Sequence, residues 1–284
     1  MCFLTPPPHL LKNVRNALYR YNIRHADGVA KWSNISDLFK QDLAKKYQLA
    51  PRLTTKHVEL PPFCQMKVKL ASQVLSHSTA AALHTHVAIG SMSAETTATA
   101  VFCQNFNDLF DCFNSLSTSG KVRLLTAISN TSGHMRKLNA LTDWLKTVKI
   151  PDPKTGNDMS KFRCFSGWLQ AIQALQKLWA VVSLHEGARF LLTRWLNQDT
   201  LEHFFSIFRS RGGFRDNPTP YEFLHAFKQA SFNHLLLPAC SGNYSIDVAQ
   251  LVPILLAADP CCHDTSLPTR PNVINSSACV TADR

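Results

Sequence analysis

Two acidic side chains lie three residues apart in a short segment rich in aromatic residues. Asp199 and Glu202 belong to "LNQDTLEHFFSIFRSRGG", residues 196–213. On a helix that begins near Asn197 they share one face, and carboxylate oxygens are the ligands that hard divalent cations prefer. Acids in the first turn of a helix also stabilise it by offsetting the helix dipole. Spacing alone favours this structural interpretation about two to one.

A basic turn follows this pair of acids. The segment "RSRGGFRDNP", residues 209–218, carries three arginines before a new helix that is predicted to begin at Pro220. Arginine side chains bind the phosphate oxygens of nucleic acids, but an ordinary polar turn contains the same residue types. Both interpretations stay open on these residues alone. The arginines are Arg209, Arg211 and Arg215.

Two common kinds of site do not fit the sequence. The segment "SGK", residues 119–121, is not a P-loop, because Ser115 occupies the position of the first glycine and Val122 follows the lysine. The nine cysteines include no CxxC pair, and "CCH" at residues 261–263 lacks a second pair of ligands at zinc spacing. Scattered cysteines in odd number favour a reducing compartment.

The charge balance limits the class of partner. Thirty Lys and Arg residues against 19 Asp and Glu residues give a net charge of +11 and a pI of about 9.3. Such a surface suits an acidic partner such as nucleic acid, although charge alone favours that partner only about evenly. No apolar run approaches the ~20 residues of a membrane span, and residues 1–11 lack the basic start of a signal peptide. We therefore expect a soluble intracellular protein with no membrane partner.

Apolar periodicity predicts a mainly helical chain. In the second predicted helix Ser33 and Asn34 supply a cap, and Ser93 caps a long later helix that "SLSTSG", residues 115–120, ends. Two segments, 54–60 and 85–89, have extended character. The predicted helices span residues 9–21, 33–47, 61–83, about 93–114 and 133–149, with a helical block from 162 to 235. In the third of these helices the residues expected to be buried are Met66, Leu70, Val74 and Leu75.

Longer segments resemble one known family. "LNQDTLEHFFSIFRSRGGFRDNPTPYEFLHAFK" closely resembles the C-terminal RNase H-like segment of P element-type transposases, which include transposases with an N-terminal THAP zinc finger. Upstream, "APRLTTKHVELPPFCQMKVKLASQVLSHSTAAAL" and "ETTATAVFCQNFNDLFDCFNS" resemble the GTP-binding insertion domain of the same family, and "PPHLLKNVRNAL" resembles the segment before that insertion. The resemblance extends in order over roughly residues 6–235.

The resemblance implies a fold and a reaction. The fold is a helical GTP-binding insertion domain packed with a partial RNase H-like segment that lacks its early strands. The reaction of the family is DNA cleavage and strand transfer, with two divalent metal ions held by two aspartates and a glutamate. The implied divisions are residues 1–17 as a remnant of the RNase H-like core, 18–149 as the GTP-binding insertion domain, 150–160 as a linker, 161–237 as the RNase H-like C-terminal segment and 238–284 as a disordered tail.

The resemblance also assigns residues, with GTP and Mg²⁺ as implied cofactors. Glu202 matches the catalytic, metal-binding glutamate. A carboxylate accepts hydrogen bonds from N1–H and N2–H₂ of guanine, which suits an acid that reads the base. Without the resemblance, a surface or cap role for Lys67 and Ser76, and a helix-end role for Asp111, would each be favoured about three to one. The positions that match the nucleotide site are Lys67 and Ser76 on the phosphate and ribose side, Asp111 as the guanine-reading acid, Asn114 one turn on, and Asp199.

Two positions depart from the family pattern. Arg52 replaces a usual lysine, and Pro6 stands where the family carries its second catalytic aspartate. The first aspartate, the early strands and the zinc finger lie outside the sequence. We therefore expect a truncated transposase that cannot cut DNA alone but keeps GTP and DNA binding.

Two alternatives stay open. One is a fragment of a longer, active, GTP-dependent transposase, and the other is a helical protein-interaction module without nucleotide or DNA chemistry. For a transposase, the expected partners are DNA, a guanine nucleotide and, in an oligomer, further copies of the chain. The expected location is then the nucleus.

Overall fold

Helices make up most of the described chain, which confirms the mainly helical fold class. The computed structural model describes residues 5–151, 162–185, 187–198, 202, 205–206 and 219–232. The helices are α1 (Pro7–Arg20), α2 (Trp32–Leu43), α3 (Thr55–Val58), α4 (Val68–Val74), α5 (His77–Ala88), α6 (Thr96–Cys112), α7 (His134–Lys146), α8 (Arg163–Val182) and a C-terminal helix, Pro220–Phe232. Short 3₁₀ turns span Pro62–Met66, Arg123–Leu125 and Thr193–Leu196.

Helix α1 begins at two prolines and packs closely against α8. Pro7 and Pro8 suit a first helical turn, where the missing N–H groups would have no partner within the helix. A Cβ added at Gly167 would lie 2.7 Å from Cδ2 of Leu10, so glycine permits the close approach of the two helices. The apolar face of α1 is buried through Leu10, Leu11, Val14 and Leu18.

Helix α6 carries the aromatic centre of the core. The ring centroids of Phe102 and Phe106 are 4.8 Å apart, and Phe106 also lies 5.6 Å from Trp144 on α7 and 6.4 Å from Trp168 on α8. Both phenylalanines are fully buried. Rings at these separations add to the burial of apolar area, and α6 is thereby fixed between α7 and α8. Its other large partner is α5.

A short hairpin, which the sequence patterns did not predict, follows α1. Strand β1 (Ile23–His25) pairs antiparallel with β2 (Gly28–Ala30). Gly28 has a φ of +130°, and a Cβ there would lie 3.0 Å from Cβ of Ala98. Both the left-handed conformation and the close approach to α6 therefore require glycine.

Both predicted extended segments were wrong. Residues 55–58 form α3, where the Thr54 N–H donates to Nδ1 of His57 at 3.0 Å and fixes the first turn. Residues 85–88 end α5. Side chains with β propensity form helix here because local capping and burial outweigh that weak preference.

The helix predicted over 61–83 is three separate elements. The 3₁₀ turn Pro62–Met66 precedes α4, and the backbone leaves the helical region again at Leu75 before α5 begins. Met66 is 61% exposed, so its predicted burial was wrong, whereas Val74 and Leu75 are buried.

Two predicted caps serve other purposes. Helix α2 begins at Trp32, and Nδ2 of Asn34 donates to Oγ1 of Thr99 on α6 at 2.7 Å. Helix α6 begins at Thr96, whose N–H donates to the Ser93 carbonyl rather than to the serine side chain. These polar side chains and carbonyls are used between elements or within turns rather than as side-chain caps.

Three further predictions concern residues that the structure does not describe. The predicted linker, from residue 152 onward, and the predicted tail, 238–284, lie outside the described residues, as do the cysteines at 261 and 262.

The new helix predicted at Pro220 is confirmed, and Thr219 and Glu222 cap it reciprocally. No helix in the described part of the chain is both long and apolar enough to cross a membrane.

Candidate functional site

The two residues predicted on the phosphate and ribose side stand at opposite ends of α4. Lys67 is exposed at the start of α4 and has no ion pair within the described residues. Ser76 caps α5: its Oγ accepts from the Thr79 N–H at 3.2 Å and donates to the Gln73 carbonyl at 2.9 Å. Ser76 is therefore a helix cap first, and any ligand would share its hydroxyl oxygen with that cap.

Asp111 lies in the last turn of α6 and is partly buried. Its Oδ2 accepts a hydrogen bond from Nδ2 of Asn107 at 2.9 Å, and within the described residues its Oδ1 accepts none. The pKa of Asp111 is raised to about 6, mainly by burial and also by the neighbouring carboxylate of Asp108, while the hydrogen bond from Asn107 and the nearby His77 act to lower it. Asp111 thus presents one open acceptor oxygen in a partly dehydrated position.

Asn114 lies just beyond the same end of α6. Its N–H donates to the carbonyl of Asp111 at 3.1 Å. The side chain is partly buried and makes no hydrogen bond within the described part of the chain. An amide that can both donate and accept therefore stands next to the Asp111 carboxylate in the chain.

A set of hydrogen bonds joins the start of α5 to the C-terminal half of α6. The His77 N–H donates to Oδ1 of Asn107 at 3.1 Å, and Nδ1 of His77 lies 2.7 Å from Oε1 of Gln104. Ser76, the residue before His77, is thereby held close to the helix that carries Asp111. Lys67 makes no hydrogen bond to any of these residues.

Asp108 is the most strongly paired acid of this region. Its Oδ2 lies 2.6 Å from Nζ of Lys137 on α7, and its Oδ1 accepts from Nε2 of Gln104 at 2.6 Å. The ion pair offsets one of the two negative charges on this part of α6. Neither Lys137 nor Gln104 was predicted from the sequence, because no local pattern announces a contact between α6 and α7.

A buried polar cluster attaches the segment after α8 to the end of α6. Oγ1 of Thr193 donates to the Cys112 carbonyl at 2.8 Å, and Ser115 and Thr193 exchange backbone-to-hydroxyl hydrogen bonds of 3.1 and 2.9 Å. Nδ2 of Asn197 donates to the Phe113 carbonyl at 3.0 Å. The chain before Glu202 therefore returns to the same end of α6 that carries Asp111.

Glu202 meets the first turn of α1. Its Oε1 lies 2.9 Å from Nε2 of His9, with 39% and 46% of the two side chains exposed. Pro6, three residues before His9, is the N-cap of α1 and accepts the His9 N–H at 3.1 Å. Among the described residues, no group of three or more His, Cys, Asp or Glu side chains could hold a metal ion. Within this described part of the chain, the side chains around Glu202 therefore do not form a two-metal site.

Four predicted positions lie outside the described residues: Asp199, Arg209, Arg211 and Arg215. Asn197, two residues before Asp199 in the sequence, hydrogen-bonds the turn after α6. The role of Asp199 in nucleotide binding and the roles of the three arginines in DNA binding stay predictions.

Two family profiles match the chain. One, described as "TNP-like, GTP-binding insertion domain", matches residues 8–127, and the other, "TNP-like, RNase H C-terminal domain", matches residues 195–228. Together they match more than half of the sequence, in the order expected from the resemblance. The chain belongs to the P element-type transposase family. An unrelated helical interaction module would not match both profiles in this order.

Individual members of the P element-type transposase family are similar over most of the chain. The transposable element P transposase of Drosophila melanogaster is 29% identical over 247 residues, which are 82% of this chain and 30% of that protein. The human DNA transposase THAP9 is 26% identical over 238 residues, or 79% of this chain and 25% of that protein. This chain thus spans less than a third of the length of either relative.

A solved structure of a member of the P element-type transposase family shares the fold. A chain of the Drosophila P element transposase strand transfer complex superposes with a TM-score of 0.71 at 25% sequence identity. The match covers 82% of this chain and 52% of that chain.

Proposed function

We propose that this chain is the guanine-nucleotide-binding part of a DNA transposase and that Asp111 reads the guanine base. The observation that carries the proposal is the Asp111 carboxylate at the end of α6, held through one oxygen by Asn107 and open at the other. The profile that matches residues 8–127 is that of a GTP-binding insertion domain.

The chemistry of the base explains why a carboxylate at this position would discriminate. Guanine presents N1–H and N2–H₂ as adjacent donors, whereas adenine presents an acceptor at N1 beside its amino group. An ionised carboxylate accepts both hydrogen bonds from guanine. Against adenine, a carboxylate oxygen would face the N1 acceptor with no hydrogen between the two atoms. We assign Asn114 and Asp199 to the same nucleotide site.

We assign the phosphate side of the proposed site to the residues at the two ends of α4. Lys67 supplies an exposed positive charge that is not neutralised within the described residues, which suits a phosphate group. Ser76 has an oxygen at the N-terminus of α5, where the helix dipole favours negative charge.

Glu202 would contribute one ligand to Mg²⁺ in the DNA-cleaving site. Bound Mg²⁺ ions activate the attacking oxygen and stabilise the leaving oxygen in phosphoryl transfer. In this chain Glu202 supplies a carboxylate beside the α1 N-terminus, while Pro6 supplies no ligand side chain. We therefore propose that DNA cleavage requires carboxylates in addition to those of the described residues.

The position of Glu202 favours a second candidate function. Glu202 contacts His9, and Pro6, which stands where the resemblance puts the second catalytic aspartate of the family, is three residues before His9. A chain that kept this geometry fits a section of a longer, active, GTP-dependent transposase as well as an inactive nucleotide-binding protein. The active transposase would operate on DNA and therefore in the nucleus, with further copies of the chain as partners in an oligomer.

Calorimetric titration with GTP and Mg²⁺ tests the nucleotide site. We expect saturable binding with a clear preference over ATP, and about a 100-fold loss in Asp111→Ala, since two hydrogen bonds to a charged group are removed. Asp143→Ala is the matched control, because Asp143 is an exposed acid on α7. Equal affinity for GTP and ATP, or full binding by Asp111→Ala, would overturn the proposal.

Salt-dependent DNA binding tests the basic turn. Neutralising Arg209, Arg211 and Arg215 together is expected to weaken binding and to lower the slope of log affinity against log salt by about 1 for each DNA phosphate that an arginine no longer neutralises. Neutralising Lys40, Arg136 and Lys177, which are exposed on three other helices, keeps the total charge change the same. If both triple variants bind DNA alike, the turn has no specific part in DNA binding.

A further inference from the structure

Asn107 touches both ends of the proposed nucleotide site. Its Oδ1 accepts the His77 N–H, at 3.1 Å, directly after the Ser76 cap of α5. Its Nδ2 donates to Oδ2 of Asp111 at 2.9 Å. One amide group therefore bridges the first turn of α5 and the last turn of α6.

The chemistry of the partners fixes the orientation of this amide. A backbone N–H can only donate, so the Asn107 atom that faces His77 must be the oxygen. The amide nitrogen then faces Asp111, whose ionised carboxylate can only accept. The two contacts demand opposite hydrogen-bonding character from the two atoms of one planar group, and asparagine meets both demands.

We propose that Asn107 is a positioning residue that sets the orientation and spacing of the guanine-reading carboxylate relative to the N-terminus of α5. The proposal rests on the proposed function of Asp111. By fixing Oδ2, Asn107 leaves Oδ1 of Asp111 directed to a ligand. By binding the His77 N–H, Asn107 also fixes the position of Ser76 relative to Asp111.

The charged groups around Asp111 make the hydrogen bond from Asn107 matter. Asp108 faces it from the same helix, His77 from α5, and Lys137 approaches from α7 as the partner of Asp108. The hydrogen bond from Asn107 lowers the pKa of Asp111, against burial and Asp108, which raise it to about 6. Loss of the donor therefore raises the pH that is needed to ionise the carboxylate.

Asn107→Asp separates the two hydrogen bonds of the amide. The new carboxylate can still accept the His77 N–H, but it places an acceptor of like charge against Asp111. We expect GTP affinity at pH 7 to fall about tenfold, with the pH midpoint of binding displaced upward. Asn107→Ala is expected to displace the midpoint in the same direction by less. Asn139→Asp, an exposed change of the same kind on α7, is the control and should change neither quantity.

A direct titration of the Asp111 carboxyl by carbon-13 NMR separates the two proposals. A higher midpoint in Asn107→Ala than in the wild-type chain supports the positioning role independently of nucleotide. An unchanged midpoint, with GTP selectivity still lost in Asp111→Ala, overturns the role of Asn107 and leaves the nucleotide site standing. An unchanged GTP affinity in Asp111→Ala instead overturns the nucleotide site. Thermal melts of each variant show whether it folds.

Discussion

Asp111 and Glu202 are both acids on helical backbone, but their surroundings differ in kind. Asp111 accepts a hydrogen bond from Asn107 on its own helix, and the residues that pair with its neighbours Asn107 and Asp108 are His77 on α5 and Lys137 on α7. Burial raises the pKa of Asp111 to about 6. Glu202 is 39% exposed, and its contact with His9 joins residues 193 positions apart. A compact stretch of chain builds the first position, whereas the second depends on two distant segments meeting at the protein surface.

Gly167→Val should disturb the surroundings of Glu202 most and leave those of Asp111 intact. Valine would press on Leu10, which lies one residue after His9, and we expect the free energy of unfolding to fall by about 3 kcal/mol. Urea unfolding measures this loss. The NMR midpoint of Asp111 should not move, because α5, α6 and α7 are not in this contact. Gln170→Val, an exposed change on the same helix, should cost only tenths of a kcal/mol.

Thr193→Val tests the cluster by which the later segment attaches to α6. The change leaves the buried Ser115 N–H and the Cys112 carbonyl without their hydroxyl partner, so a loss of about 2 kcal/mol in unfolding free energy is expected. Chemical denaturation gives the value. Thr142→Val is the control, since its hydroxyl bonds only a helical carbonyl. Similar losses in the two variants would show that the cluster has no special weight.

Asp111→Asn should stabilise the protein at neutral pH while it abolishes the guanine preference. The folded pKa of about 6 exceeds the ordinary value of 3.8, so the folded state binds more protons between pH 4 and 6. Wild-type stability therefore falls as pH rises through that window.

The size of this stabilisation is about 1 kcal/mol at pH 7 after allowance for solvent screening, and it should vanish near pH 4. Thermal melts across this pH range measure it. Asp143→Asn, a change of the same kind at an exposed position, is the control, and we expect it to change the free energy of unfolding at pH 7 by less than about 0.5 kcal/mol. A less stable Asp111→Asn variant at pH 7 would mean that the ionised carboxylate is favoured by the fold.

His9→Gln should have the smallest effect on stability. An exposed pair contributes little, so the expected change in unfolding free energy is about 0.5 kcal/mol or less. Urea unfolding, with His84→Gln on α5 as an exposed control, measures it. A loss near 2 kcal/mol would contradict this expectation, because the exposed contact between His9 and Glu202 would then contribute as much as a buried interaction.

Sequence periodicity predicted the helices well where one apolar face is long and uninterrupted. Helix α6 follows its Phe102 and Phe106 spacing, and α1 and α7 end within a few residues of the predicted bounds. The prediction over 61–83 was wrong because the chain leaves helical geometry at Leu75, a backbone change that the apolar spacing does not register. The hairpin at Gly28 was missed because three-residue strands give almost no period.

The acids of the candidate site were predicted from the family resemblance, whereas the residues that pair with them or with their neighbours were not predicted. Asp111 and Glu202 stand in quoted motifs, but Asn107 and Lys137 become visible only through contacts between separate helices. Thr193 is a common residue in an ordinary segment until Ser115 lies beside it. Single-sequence patterns describe neighbours along the chain, whereas these residues are neighbours only after folding.

The pairing of Ser115 with Thr193 has a consequence during synthesis. The two residues are 78 positions apart, so at the usual elongation rates of about 5–20 residues per second Thr193 leaves the ribosome roughly 4–16 s after Ser115. Until then the Ser115 N–H and the Cys112 carbonyl must stay hydrated. Within the stretch from α4 to α6, the C-terminal end of α6 is consequently the last part to exclude water during synthesis.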